Sequence, residues 1–313
     1  MKILKPKRLI KGDLIGIISP ASSPDDLSKV ESGVRYFEKL GYRVEVGKNV
    51  GKLHGYLAGS NEERLDDLHY MFKKKNVKAI FTIRGGYGSA RLLDKIDYNL
   101  IRKNPKIFVG YSDITALQLA IFNKVGLVTF AGPMVAIDFN KDMDPSLEEN
   151  FWTAVTSNKS FGKIKMPHDE KLFQLNKGDK KGRILGGNLA VFTSLVGTKF
   201  LPDMKGKILL LEEIGEAPYR IDRMLNQLKL SKILSQLNGA VLGAFIDCNE
   251  KDPTKNSLTL GEVIEDYFSE LKVPVIYNFR HGHVKDNITV PFGINVRLNA
   301  SRNIIEYLEP AVK

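Results

Sequence analysis

Apolar and polar positions along the first 135 residues follow two periods, short β-branched or apolar runs alternating with longer stretches that repeat at helical spacing. Residues 14–18 (Leu-Ile-Gly-Ile-Ile) read as a first strand, closed by the cap-rich turn Ser19-Pro20-Ala21-Ser22-Ser23-Pro24. Val30, Val34, Phe37 and Leu40 then fall on one face of a helix over 27–40. A strand over 42–46, a helix over 61–74 and a strand over 77–82 come next, followed by the glycine-rich turn Arg84-Gly85-Gly86-Tyr87-Gly88 and a helix starting near Ser89. A strand over 106–109, a helix over 113–122 and a strand over 127–130 complete the run. Such alternation predicts βα units around a parallel sheet.

From 136 to 182 the periodicity lapses into Lys- and Asp-rich sequence, including Asn140-Lys141-Asp142-Met143-Asp144-Pro145, which reads as a linker region. A second domain is expected over 183–313. Its elements are a helix after Gly186-Gly187-Asn188, strands over 207–211 and 240–246, helices over 219–228 and 260–271, and short strands over 273–277, 288–290 and 294–298. The expected class is α/β, with an N-terminal parallel-sheet domain over 1–135 and a smaller C-terminal mixed α/β domain.

Composition narrows the function classes. At 313 residues and 43% hydrophobic, the chain is long enough for two cores. It holds no run of eighteen apolar residues, and its start, Met1-Lys2-Ile3-Leu4-Lys5-Pro6-Lys7, lacks the apolar block of a signal peptide, so a cytoplasmic protein with no membrane partner is expected. The net charge of +11 is spread along the chain, densest at Lys73-Lys74-Lys75 and Lys180-Lys181, without a basic helix or interleaved aromatics. That argues against nucleic acid and leaves attraction for an acidic peptide. A single cysteine, Cys248, excludes internal disulfides and cysteine-rich zinc patterns.

Three places put a chemically competent side chain directly after an apolar strand: Ser112 in Gly110-Tyr111-Ser112-Asp113-Ile114-Thr115, the pair Glu212-Glu213 after Leu209-Leu210-Leu211, and His281-Gly282-His283. In open α/β sheets, sites gather beyond the carboxyl ends of strands. Ser, Glu and His so placed are the parts of a nucleophile, an orienting acid and a base. Blander readings stand beside this one. Ser112 or Asp113 caps a helix, the glutamates form a solvated strand end, and the two histidines hold a metal together with Glu212. Against metal, His54, His69 and His168 lie in unrelated contexts and there is no His-Glu-x-x-His.

Taken in order, these motifs resemble a known family. Arg84 to Gly88, Gly110 to Thr115, Gly186-Gly187-Asn188-Leu189, Leu211-Glu212-Glu213 through Pro218-Tyr219-Arg220-Ile221-Asp222-Arg223, and Gly282-His283 through Asn287 and Pro291-Phe292-Gly293 resemble the LD-carboxypeptidases. These are serine peptidases that include the microcin C immunity peptidases. The resemblance implies an amidotransferase-like N-terminal domain and a triad split between domains, with Ser112 the nucleophile, Glu212 the acid and His283 the base. Glu213 and His281 replace the last two if the register is off by one step. It also implies cytoplasmic release of the terminal D-alanine from a murein tetrapeptide, no cofactor or metal, and a homodimer. The backbone N–H groups of Asp113 and Gly86 suit an oxyanion hole, and Arg84, Tyr87 and Arg220 suit the substrate, whose free carboxylate needs a cationic or N–H-rich pocket. An alternative substrate is an aminoacyl-adenylate conjugate, which that branch holds with a stacking aromatic in a longer insertion; here the only tryptophan is Trp152, in the expected linker. A non-catalytic binder of acidic peptides is the remaining class.

Overall fold

The computed structural model describes residues 2–160, 162–167 and 170–313, so His168 lies outside the described residues. The chain forms two compact units, Met1–Lys159 with Ile288–Gly293 and Pro310–Lys313, and Ser160–Asn287 with Ile294–Glu309.

The first unit is built on β1 (Leu14–Ile18), β2 (Arg43–Val46), β3 (Val77–Thr82), β4 (Ile107–Gly110) and β5 (Thr129–Ala131), all parallel, with β12 (Val290–Phe292) antiparallel at one edge. Their order is β12-β5-β4-β3-β1-β2. β1 and β4 are buried along their whole length, the reason their sequences are continuously apolar rather than alternating. Gln118, fully buried in the helix Thr115–Val125, donates from Nε2 to the carbonyls of Gly110 and Phe130, both at 2.8 Å, and so ties the ends of β4 and β5.

The second unit holds an eight-stranded mixed sheet, from β6 (Gly162–Lys163), β7 (Phe173–Asn176), β8 (Asp179–Asn188), β9 (Ile208–Ile214), β10 (Gly239–Ile246), β11 (Val275–Tyr277), β13 (Asn295–Asn299) and β14 (Ile304–Tyr307). Their order is β6-β14-β13-β8-β9-β10-β11-β7, with β8 to β11 mutually parallel.

The segment 136–182 is not a linker. Its first part forms the helix Pro145–Thr156, started by Asp144 as N-cap with proline in the first turn, and Leu147, Phe151, Ala154 and Val155 are buried. Phe151 packs edge-on against Phe81 and Phe139 in the first unit's core. Its second part supplies β6, β7 and the outer half of β8 to the second unit's sheet. The chain also returns at Ile288–Gly293 to place β12 beside β5, so the units interleave along the sequence where two consecutive domains were expected.

Candidate active site

In the first unit the strand order reverses around β1, with β2 on one side and β3 on the other, which makes the carboxyl ends of β1 and β3 a topological switch point. Two loops leave there, Ser19 to Pro24 and Arg84 to Gly88. Ser22 N–H donates to the Gly85 carbonyl (3.2 Å) and Ser22 Oγ accepts from Tyr87 N–H (3.1 Å). Arg64, 1% exposed, donates from Nη1 to the carbonyls of Pro20 (2.7 Å) and Gly88 (2.8 Å). A buried guanidinium requires such partners, and here they clip the two loops together.

β4 ends one strand away and delivers Ser112. Its φ is 63°, the left-handed region that a non-glycine L-residue enters only under strain. The residue starts a short 3-10 turn that runs into the helix Thr115–Val125, and at the first turn of a helix the N–H groups, Asp113 N–H among them, have no intrahelical partner. A strained, half-buried serine on a sharp strand-to-helix turn holds its hydroxyl above the sheet edge. Asp113 itself is 5% exposed and does not act as a free acid. Its Oδ2 accepts from Ser89 N–H (2.8 Å) and its carbonyl from Ser89 Oγ (2.5 Å), while burial raises its pKa against those hydrogen bonds. The Ser112 turn is thereby bolted to the glycine turn.

Gly85 rather than Gly86 lies against the serine. A Cβ on Gly85 would stand 2.8 Å from Ser112 Cβ and 2.9 Å from its Oγ, so any side chain there displaces the hydroxyl. Gly86 faces Ser22. Because the Gly85 carbonyl points at Ser22 N–H and the peptide is trans, the Gly86 N–H points the opposite way. Arg84 donates from Nη1 to the Ser23 carbonyl at 3.3 Å, and Tyr87 is 55% exposed.

In the second unit, β9 is buried from Ile208 through Glu213, which puts both glutamates out of water. Their roles separate. Glu213 Oε1 accepts from Asn188 Nδ2 and from Ile214 N–H, and its Oε2 from Ala190 N–H, all at 2.8 Å. Glu212, 1% exposed, meets His283 instead, Oε2 to Nδ1 at 2.7 Å. A carboxylate can only accept, so Nδ1 carries the proton and Nε2 is the basic nitrogen of the neutral ring.

The His283 loop is shaped around Glu212. β10 breaks its register with β9 between Leu242 and Phe245, and in that gap Ala244 N–H donates to the His281 carbonyl (2.9 Å) and Phe279 N–H to the Leu242 carbonyl (3.1 Å). Gly282, at φ 118°, leaves room for the acid: a Cβ there would lie 2.5 Å from Glu212 Oε2. Asn287 Oδ1 accepts from Gly282 N–H at 3.1 Å, and Arg280 closes the loop on Asp286 through two hydrogen bonds of 2.6 and 2.5 Å. This ion pair has no counterpart in the sequence reading, although an Arg and an Asp six residues apart around His-Gly-His was its visible trace.

The other sequence candidates sit elsewhere. His281 is fully buried and works through its backbone carbonyl in the β10 gap. Arg220 pairs with Glu216 (3.3 Å) and packs over Tyr219. Trp152 lies half-buried in the first unit, donating from Nε1 to Tyr36 and stacked on Tyr42 at 5.1 Å. Cys248 is buried, which pushes its thiol up to about 11. Among the described residues, no three His, Cys, Asp or Glu side chains are grouped so as to hold a metal ion, and no helix is long and apolar enough to cross a membrane.

Comparison with known proteins shows what the chain resembles. Residues 15–132 match the LD-carboxypeptidase N-terminal domain and residues 181–298 the LD-carboxypeptidase C-terminal domain. A probable murein peptide carboxypeptidase of Bacillus subtilis (strain 168) is 42% identical over 95% of this chain and 92% of its own. The crystal structure of a muramoyltetrapeptide carboxypeptidase from Oxalobacter formigenes superposes with a TM-score of 0.81 at 31% identity, covering 94% of this chain and 97% of that one. A structure of the microcin C7 self-immunity protein MccF reaches 0.89 at 26% identity, covering 99% and 100%. With both halves matched in order and a near-full-length relative at this identity, the chain belongs to the LD-carboxypeptidase family of serine peptidases.

Proposed function

We propose that this enzyme hydrolyses the L,D-peptide bond holding the terminal D-alanine of a murein tetrapeptide, with Ser112 as nucleophile, His283 as general base and Glu212 as the acid that orients it. The observation that carries the reading is the left-handed backbone of Ser112 at the end of β4, a strained conformation that capping a helix does not require. The 2.7 Å pair of Glu212 with His283 supplies the base in the matching tautomer. His283 Nε2 takes the Ser112 proton as Oγ adds to the carbonyl, and returns it to the departing amine of D-alanine. Water then repeats the sequence on the acyl-enzyme and frees the shortened peptide. The N–H groups of Asp113 and Gly86 receive the oxyanion, Arg84 engages the terminal carboxylate, and Tyr87 contacts the rest of the substrate. On family membership we also read the protein as a cytoplasmic homodimer with a small peptide as its partner.

Incubation with murein tetrapeptide and, in parallel, with an aminoacyl-adenylate conjugate tests this by mass spectrometry. Loss of D-alanine from the tetrapeptide is expected, at a rate unaffected by a chelator. Cleavage of the conjugate alone, or silencing by the chelator, would overturn the assignment. Trp152, already stacked on Tyr42 within the first unit, argues against its service as a base-stacking residue for adenylates.

The Arg280–Asp286 pair gives a second test. It touches no reacting atom but fixes the loop on which His283 meets Glu212. Asp286→Ala is expected to lower kcat about tenfold, the scale of a misplaced base, while KM changes less than twofold. A matching loss in KM, or none in kcat, would refute the positioning role.

A further inference from the structure

The switch point of the first unit also carries two aromatic rings that take no part in the bond-breaking step. Tyr56 and Tyr87 are 66% and 55% exposed, with ring centroids 5.3 Å apart and planes at 78°. They are held firmly. Tyr56 sits at the tip of a tight hairpin closed by paired backbone bonds between His54 and Leu57 (2.9 and 3.1 Å), and Ala58 N–H ties that hairpin to the Ala21 carbonyl (2.9 Å). One hydroxyl joins the rings' backbones: Ser22 Oγ donates to the Tyr56 carbonyl (2.6 Å) and accepts from Tyr87 N–H (3.1 Å). Exposed rings on a rigid support bind a ligand at small entropic cost.

Their place relative to the nucleophile limits the occupant. Tyr87 follows by two residues the glycine that abuts Ser112, so its backbone stands within about 7 Å of that contact. A carboxypeptidase releases one small residue on the leaving side, and a corner built of two rings is too broad for it. The surface therefore serves the acyl side, where the three residues left of a tetrapeptide extend about 10 Å. In a muramoyl peptide, what lies at that end is a sugar.

We propose that Tyr56 and Tyr87 form a subsite for the muramoyl ring, so that the enzyme prefers sugar-bearing over free tetrapeptide; this rests on the hydrolytic reading above. The C–H face of a pyranose carries slight positive charge and packs on the negative face of a tyrosine ring, with the phenol hydroxyls available to its polar groups. Two rings near a right angle suit a chair-shaped ring, whereas a flat nucleobase stacks on a single open face.

The test is the ratio of kcat/KM for muramoyl-tetrapeptide over free tetrapeptide, in the wild type and in Tyr56→Ala, with thermal melting to confirm folding. The wild-type ratio should be about tenfold and should collapse towards one in Tyr56→Ala through KM, and Tyr56→Phe should retain most of it. A ratio near one in the wild type, or an equal ratio in both proteins, overturns the subsite. Turnover of neither substrate by the wild type is a different result and sinks the hydrolytic reading itself.

Discussion

Ser112→Ala is expected to abolish turnover of murein tetrapeptide, a fall on the order of 10⁴-fold or more, since removing a nucleophile leaves only what binding and oxyanion donors supply. The variant should fold. Ser112 is half-buried, and its removal vacates a hydroxyl rather than a core side chain. A companion substitution separates chemistry from architecture. At φ 63° an L-side chain is strained by about 1–2 kcal/mol, and glycine is not. Ser112→Gly should therefore be as inactive as Ser112→Ala yet more stable than it by about 1 kcal/mol in denaturant titration, glycine's looser unfolded chain offsetting part of the relief. Wild-type turnover in Ser112→Ala would remove the nucleophile assignment, and equal stability of the two variants would remove the claim of stored strain. The result bears on mechanism because strain at this turn aims the hydroxyl through the backbone rather than through a flexible side chain.

How much of this was legible in the sequence depended on whether the signal was local. β1 and β4 announced themselves because a parallel strand covered on both faces has to be apolar throughout, and β3 departs from that only at Lys78 and Thr82. The same rule marked β9, and with it the step from Leu211 to Glu212. The helix Pro145–Thr156 was readable from Asp144-Pro145 and the spacing of Leu147, Phe151, Ala154 and Val155, but the charged run before it obscured the cap. β8 was hidden for another reason. Its first half, with Lys180 and Lys181 exposed and Arg183 half-buried, is held by ladder bonds to β13, which is a pairing across more than a hundred residues and leaves no apolar mark. The return of Ile288–Gly293 to the first unit is equally non-local, a three-residue strand whose partner decides where it goes. At the site, residue types were legible and conformations were not. No local pattern distinguishes Gly85 from Gly86 as the residue pressed against Ser112, or shows that Arg280 closes on Asp286.

The adjacent glutamates offer the second large effect, because two identical buried side chains are expected to fail in opposite ways. Glu212→Gln keeps the size of the side chain but can no longer hold His283 with Nδ1 protonated and stabilise its charged form, so kcat should drop by about 10³–10⁴ with stability nearly intact. Glu213→Ala touches no imidazole. It strips partners from Asn188 Nδ2, Ala190 N–H and Ile214 N–H, in a strand end that water does not reach, and should cost about 3–5 kcal/mol while the folded fraction keeps most of its turnover. Titration adds an independent check. Burial first, and Glu212 beside it, raise the Glu213 pKa above its ordinary 4.5 against the hydrogen bonds that lower it. A carboxyl whose folded pKa is raised contributes stability that is full below the unfolded value and is lost as pH rises through the folded one. The stability advantage of wild type over Glu213→Gln should accordingly widen as pH falls from 7 towards 4.5, measured by denaturant unfolding, whereas Glu212→Gln is distinguished by activity. If Glu213→Gln were the inactive protein and Glu212→Gln the unstable one, the acid of the catalytic group would be one residue further along β9, and the His283 contact seen at 2.7 Å would be incidental.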